Sequence, residues 1–159
     1  MPEMLLFTDG SVSTQRSVGY GAYLRVTNAS LPLEVLQTQI KAKRFEPTSS
    51  TRLELQTLLW ALNEVRENAE SVLIHTDSQN ILSLPNRRSR LEKNEFRSKK
   101  GSPLKNRELY QEFYQLIDHM DCQFVKVKGH LKRNEKDAID HILSLVDKAS
   151  RNALRNEFK

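Results

Sequence analysis

The sequence predicts an α/β domain: a mixed five-stranded sheet, three antiparallel strands then parallel strands, flanked by helices. Three observations predict it. Met4 to Phe7 form an unbroken apolar run that suits a strand covered on both faces. Five strand-like stretches alternate with helix-period stretches in the order βββαβαβα, which calls for a sheet with helices packed on both sides. The first and fourth strands close alike, at Thr8-Asp9-Gly10-Ser11 and Thr76-Asp77-Ser78, so neighbouring strand ends would carry carboxylates to one edge of the sheet.

Each element has its own signal. Asp9-Gly10 reads either as a turn closing the first strand or as a strand end holding a site carboxylate, and Val12 to Ser17 reads as a hairpin loop. Tyr20 to Thr27 is a second strand, with Gly19 and Gly21 marking a close backbone approach. Leu33 to Lys43 alternates well enough for a third strand, completing an antiparallel meander. Glu46 to Thr51 opens a helix whose apolar stripe is Leu55, Leu58, Leu59, Leu62 and Val65. Ser71 to Thr76 is the fourth strand; Asn80 to Leu84 makes a short helix that Pro85 stops. A helix from about Lys105 to His119, a fifth strand from Cys122 to Lys128, a polar loop and a last helix from about Asp137 to Arg155 complete the chain.

At 159 residues the chain is the size of one ordinary domain, able to bury a core without disulfides or a structural metal. Its one cysteine, Cys122, lies among β-formers and reads as a structural thiol. No stretch approaches the ~18 apolar residues of a membrane span. No secretory leader precedes the first strand, so a reducing, cytoplasmic setting without membrane contact is expected. The formal charge of +5 is unevenly placed. Between Arg87 and Arg107 nine basic residues face two acids, Glu92 and Glu95, so the rest of the chain is slightly acidic. Such a segment favours a polyanionic partner.

Four carboxylates meet apolar elements. Asp9 and Asp77 end strands, Glu54 lies in the first turn of the first long helix, and Asp147 sits beside Val146 on the last helix. Each has an ordinary reading too: Glu54 completes a capping box with Thr51, Asp77 caps the helix after it, and Asp147 is a solvated helical acid. Clustered carboxylates repel one another unless a cation lies among them, and all-oxygen donors favour Mg²⁺ or Mn²⁺ over zinc. Carboxylates beside a basic segment suggest a phosphodiester hydrolase.

The motifs Phe7-Thr8-Asp9-Gly10-Ser11, Thr51-Arg52-Leu53-Glu54-Leu55, Thr76-Asp77-Ser78, Val127-Lys128-Gly129-His130 and Val146-Asp147-Lys148-Ala149-Ser150-Arg151 occur in this order along the chain. In order and element context the chain resembles bacterial-type ribonuclease H, over nearly its whole length. The resemblance implies one ribonuclease H domain over residues 1–159, with 85–107 as a basic protrusion, and hydrolysis of the RNA strand of RNA/DNA hybrids. It implies Asp9, Glu54, Asp77 and Asp147 as ligands of two Mg²⁺ ions, and His130 as a histidine aiding proton transfer or product release. Ser50, Thr51, Arg52, Arg87, Arg88, Arg90, Lys99 and Lys100 would meet nucleic acid, largely through phosphates.

The chain departs from the family pattern in places. Ser50-Thr51 stands where bacterial enzymes carry two asparagines, and Asp147 follows His130 by seventeen residues, leaving Asp140 as an alternate fourth ligand. Two further readings stay open: a hybrid- or duplex-binding module that has lost catalysis, and another nuclease of the same superfold. A monomer with no protein partner is expected.

Overall fold

The computed structural model of the chain describes residues 3–27, 31–68, 70–127 and 137–159. Its elements follow in the order β1 (Met4–Ser13), β2 (Val18–Val26), α1 (Leu33–Gln37), β3 (Lys41–Phe45), α2 (Ser50–Val65), β4 (Ser71–Thr76), α3 (Gln79–Lys93), α4 (Arg107–Ile117), β5 (Asp121–Lys126) and α5 (Ala138–Glu157). The strands form one mixed sheet, β3-β2-β1-β4-β5. β1 pairs antiparallel with β2 and β2 with β3, whereas β1 with β4 and β4 with β5 are parallel. This is the predicted architecture.

Alternation along the strands divides the interior in two. Met4, Leu6, Val72 and Ile74 pack against α2, α3 and α4 through Leu55, Leu58, Leu62, Ile81, Leu84 and Phe113. On the opposite face Phe7, Ala22 and Leu24 meet Ile142, Leu143 and Val146 of α5. Leu36 of α1 joins this second core. Cys122 lies half-buried in β5, where burial pushes its thiol up to about 11, so it is not a nucleophile at neutral pH.

Four local expectations are corrected. β1 runs through Asp9-Gly10 to Ser13, because Asp9 pairs with Ala22 and Gly10 with Gly21; the hairpin turn is confined to 14–17. Leu33 to Lys43 is not one strand. Pro32 occupies the N-cap of α1, only Leu36 of that helix is buried, and the sheet resumes as β3 at Lys41. α3 does not stop at Pro85 but continues to Lys93. Ile81 and Leu84 before the proline and Leu91 after it are all buried in one core, and the Tyr114 hydroxyl donates to the Leu84 carbonyl at 2.7 Å. Finally, α2 is capped by Ser49, whose hydroxyl accepts from the Arg52 N–H at 3.3 Å, so Glu54 is not part of a capping box.

Glycine at two strand positions fixes how close α2 comes to the sheet. A Cβ on Gly21 would collide with the Thr57 side chain, and one on Gly10 would press on Leu53. Seating Leu53 there sets the neighbouring Glu54 over the strand end. Gly21→Ala is therefore expected to cost roughly 1–3 kcal/mol through overpacking, read as a lowered urea midpoint with an unchanged slope.

Candidate active site

β4 pairs with β1 only as far as Phe7 and His75, so both strands leave the parallel register at the same edge. Asp9 lies two residues beyond on β1, and Asp77 is the first residue after β4. α2 closes the gap from one face. Its Glu54 carboxylate accepts a hydrogen bond from the Ser78 hydroxyl at 2.5 Å, and that hydroxyl also accepts from the Ile81 N–H at 3.2 Å as the N-cap of α3. One serine thus ties the first turn of α2 to the residue after Asp77. Asp9, Glu54, Asp77 and Ser78 line a cleft of about 50 Å³ floored by Thr8, Thr76 and Ile81.

α5 supplies the fourth acid from the other face. The Asp147 carboxyl lies near enough to Asp9 for its negative charge to act on it, and Arg151, one turn further on, pairs with Asp147 at 3.0 Å. Ser11 and Ser150 fasten α5 to β1 beside this contact at 3.0 Å. Asp140 is elsewhere: it forms a reciprocal capping box with Asp137 at the start of α5. Of the two candidates for the fourth acid, Asp147 is the one brought to Asp9.

Electrostatics match this crowding. Burial first, then the charge of Asp77, push the Asp9 carboxyl up to about 8; the Gly10 N–H, which donates to it at 2.8 Å, pulls the other way, and Asp147 adds a lesser upward push. Glu54 is also raised, by burial and by Asp77, with the Ser78 bond pulling the other way. Carboxyl groups are raised in this way where burial removes water and neighbouring negative charge is not compensated. Among the described residues no group of three or more His, Cys, Asp or Glu stands close enough together to hold a metal ion as the side chains lie. The donor chemistry nevertheless fits a hard divalent cation: every group is a carboxylate, and the most buried one carries a charge deficit that a cation would remove.

The RNase H family model matches residues 1–148. The chain belongs to the ribonuclease H family. It is 26% identical over 148 residues to the ribonuclease H of Clostridium botulinum strain Hall, covering 89% of this chain and 93% of that one. Ribonuclease HI of Pasteurella multocida is 30% identical over 139 residues, covering 86% and 84% respectively. A foamy viral protease-reverse transcriptase solved in complex with RNA/DNA hybrid shares the fold, with a TM-score of 0.69 at 14% identity; the match covers 94% of this chain and 19% of the viral one.

In this chain the residues expected to meet nucleic acid fall into two groups. Ser50, Thr51, Arg90, Lys99 and Lys100 are exposed. The others are engaged within the protein. Arg52 pairs with Glu108 at 2.6 Å and donates to Asn106 at 3.3 Å. Arg87 donates to Asn80 and Ser83 and covers the Tyr110 ring. Arg88 grips Asp118 with two bonds of 2.7 and 2.9 Å, reaches Glu92 at 3.1 Å and lies over Tyr114. The basic segment is thus the second half of α3 plus its connection to α4, and part of its charge braces α3 against α4. His130 lies outside the described residues. Sequence reasoning missed Ser78 as the group holding Glu54; a serine directly after the strand-ending acid was the available signal.

Proposed function

We propose that this ribonuclease H hydrolyses the RNA strand of RNA/DNA hybrids endonucleolytically, using Mg²⁺ or Mn²⁺ held by Asp9, Glu54, Asp77 and Asp147. The observation that carries the proposal is that Asp9 of β1, Glu54 of α2 and Asp77 just after β4 line one cleft, with Asp147 of α5 near enough for its charge to act on Asp9. Two such ions, when bound, activate a water and stabilise the leaving oxygen of an in-line displacement at phosphorus. The protein's own part is positional. Ser78 holds Glu54 in place, while the seating of α2 on the glycine-lined strands and of α5 on Ser11 keeps the acids apart from their own helices' caps. His130 is the group we assign to proton transfer or product release, tasks that an imidazole side chain suits. Exposed Arg90, Lys99 and Lys100 would meet backbone phosphates, giving affinity with little sequence choice.

The test is cleavage of end-labelled RNA/DNA hybrid, duplex RNA and duplex DNA with Mg²⁺, Mn²⁺ or EDTA. Cutting of the hybrid alone, internal to the RNA strand and abolished by EDTA, is expected. Hybrid binding without cutting under any metal would favour a binding module instead. His130→Ala is expected to lower turnover by about 10²-fold, the lower end of the range for a positioned proton-transfer group, with hybrid affinity unchanged in equilibrium binding.

A further inference from the structure

On the α5 face of the sheet, away from α3 and α4, a second concavity of about 380 Å³ opens between the end of β1, the turn after it and the outer side of α5. Arg16, Arg151 and Arg155 line it, with no carboxylate among the lining residues. Arg155 makes no hydrogen bond or ion pair among the described residues. The Arg16 guanidinium carbon lies 4.2 Å from the centre of the Phe158 ring, a cation–π contact at the pocket's edge. Arg151 spans the two sites, since it lines this concavity and also pairs with Asp147. Guanidinium groups gathered around a pocket with serine hydroxyls, here Ser11 and Ser13, match the oxygens of a phosphate; Leu154 and Phe158 supply an apolar wall against which a sugar can lie.

Placement selects the source of that phosphate. Asp9, Ser11 and Ser13 alternate onto the same face of β1, and Asp147, Arg151 and Arg155 follow one another by single turns of α5. Ser13 is therefore roughly 13 Å along the strand from Asp9, and Arg155 about 12 Å along the helix from Asp147. At about 3.4 Å of axial rise per nucleotide, this corresponds to roughly two to four nucleotides.

We propose that this pocket is a phosphate subsite for the nucleic-acid strand lying on the carboxylate cluster, gripping its backbone roughly two to four nucleotides from the cut. The proposal rests on the nuclease reading for what occupies it, and its test is made separable from cleavage. Binding of a fluorescent RNA/DNA hybrid is measured by anisotropy in EDTA between about 50 and 200 mM salt. The proteins compared are the wild type, the Arg16→Ala/Arg155→Ala double variant, its Arg→Lys counterpart, and Arg25→Ala/Lys41→Ala, which removes equal charge from the far ends of β2 and β3.

The arginine double variant should bind roughly tenfold more weakly, with the slope of log K against log salt shallower by about one to two. The lysine version should recover part of this and the distant pair should keep the wild-type slope. Matching melting temperatures would show that the variants are folded. An unchanged slope in the Arg16→Ala/Arg155→Ala protein overturns the proposal. So does a pocket whose loss abolishes stabilisation by inorganic phosphate but leaves hybrid binding intact, which would make it a site for free anions. If the wild type cuts no hybrid while the slope still falls, the nuclease reading fails and the subsite stands.

Discussion

Asp9→Asn is expected to reduce hybrid cleavage by more than about a thousandfold and, at the same time, to make the metal-free protein more resistant to heat. The two effects share one cause. Asp9 sits against Asp77 and Asp147 in a half-buried position, so its ionised form is disfavoured and its carboxyl titrates at about 8. The unfolded chain releases that proton near the ordinary 3.8. Between these values the folded state holds a proton that the unfolded state has lost, so stability falls as pH rises across the window and the full penalty is present above about pH 8. Asparagine keeps an acceptor for the Gly10 N–H but carries no charge. Its advantage should be near zero at pH 4 and grow towards pH 8 without metal, as a melting-temperature gain of roughly 2–4 °C for each kcal/mol of penalty relieved. Scanning calorimetry of both proteins across that range, beside the cleavage assay, measures both halves. An inactive variant that is no more stable at pH 8 than at pH 4 would mean that Asp9 is not electrostatically crowded.

The second large effect is on metal binding itself. Because the Asp9 proton must leave before a cation can be held there, Mg²⁺ affinity should rise as pH approaches 8, by up to tenfold per pH unit, so that roughly a hundredfold separates pH 6 from pH 8. Isothermal titration in buffers of different ionisation heat should show close to one proton released per binding event at pH 6.5, shrinking towards zero above pH 9. In the Asp9→Asn protein both the affinity and the proton release should be lost. A pH-independent affinity would place the ion away from Asp9.

The sheet and the carboxylates were readable from sequence because they depend on short-range pattern. An apolar run ending in Thr-Asp marks a buried strand meeting an edge, and it occurs twice, on strands that prove to be neighbours. Elements that depend on context were misread. The period-two pattern of Leu33 to Lys43 is also met by a turn of helix with one buried residue, Leu36, and nothing local distinguishes the two. Pro85 breaks a helix on its own, but the buried leucines on either side of it and the Tyr114 hydroxyl come from packing that a local reading cannot see. For Glu54 the sequence offered a cap or a ligand. Choosing between them needed the position of Ser49 one turn earlier and of Ser78 across the cleft. The basic segment misleads in another way: a charge count treats Arg88 like Arg90, although Arg88 is consumed by Asp118 and Glu92. The pocket of Arg16, Arg151 and Arg155 escaped notice because its arginines come from two distant segments, and only the one-turn spacing after Asp147 hinted at half of it.

Whether Asp9, Glu54, Asp77 and Asp147 together hold a divalent cation is read directly from anomalous scattering by Mn²⁺-soaked crystals. A peak within bonding distance of Asp9 is expected, with Glu54, Asp77 or Asp147 completing its protein ligands. Manganese found only at other sites, with the Asp9 carboxyl remaining protonated and unligated at pH 8, would contradict it.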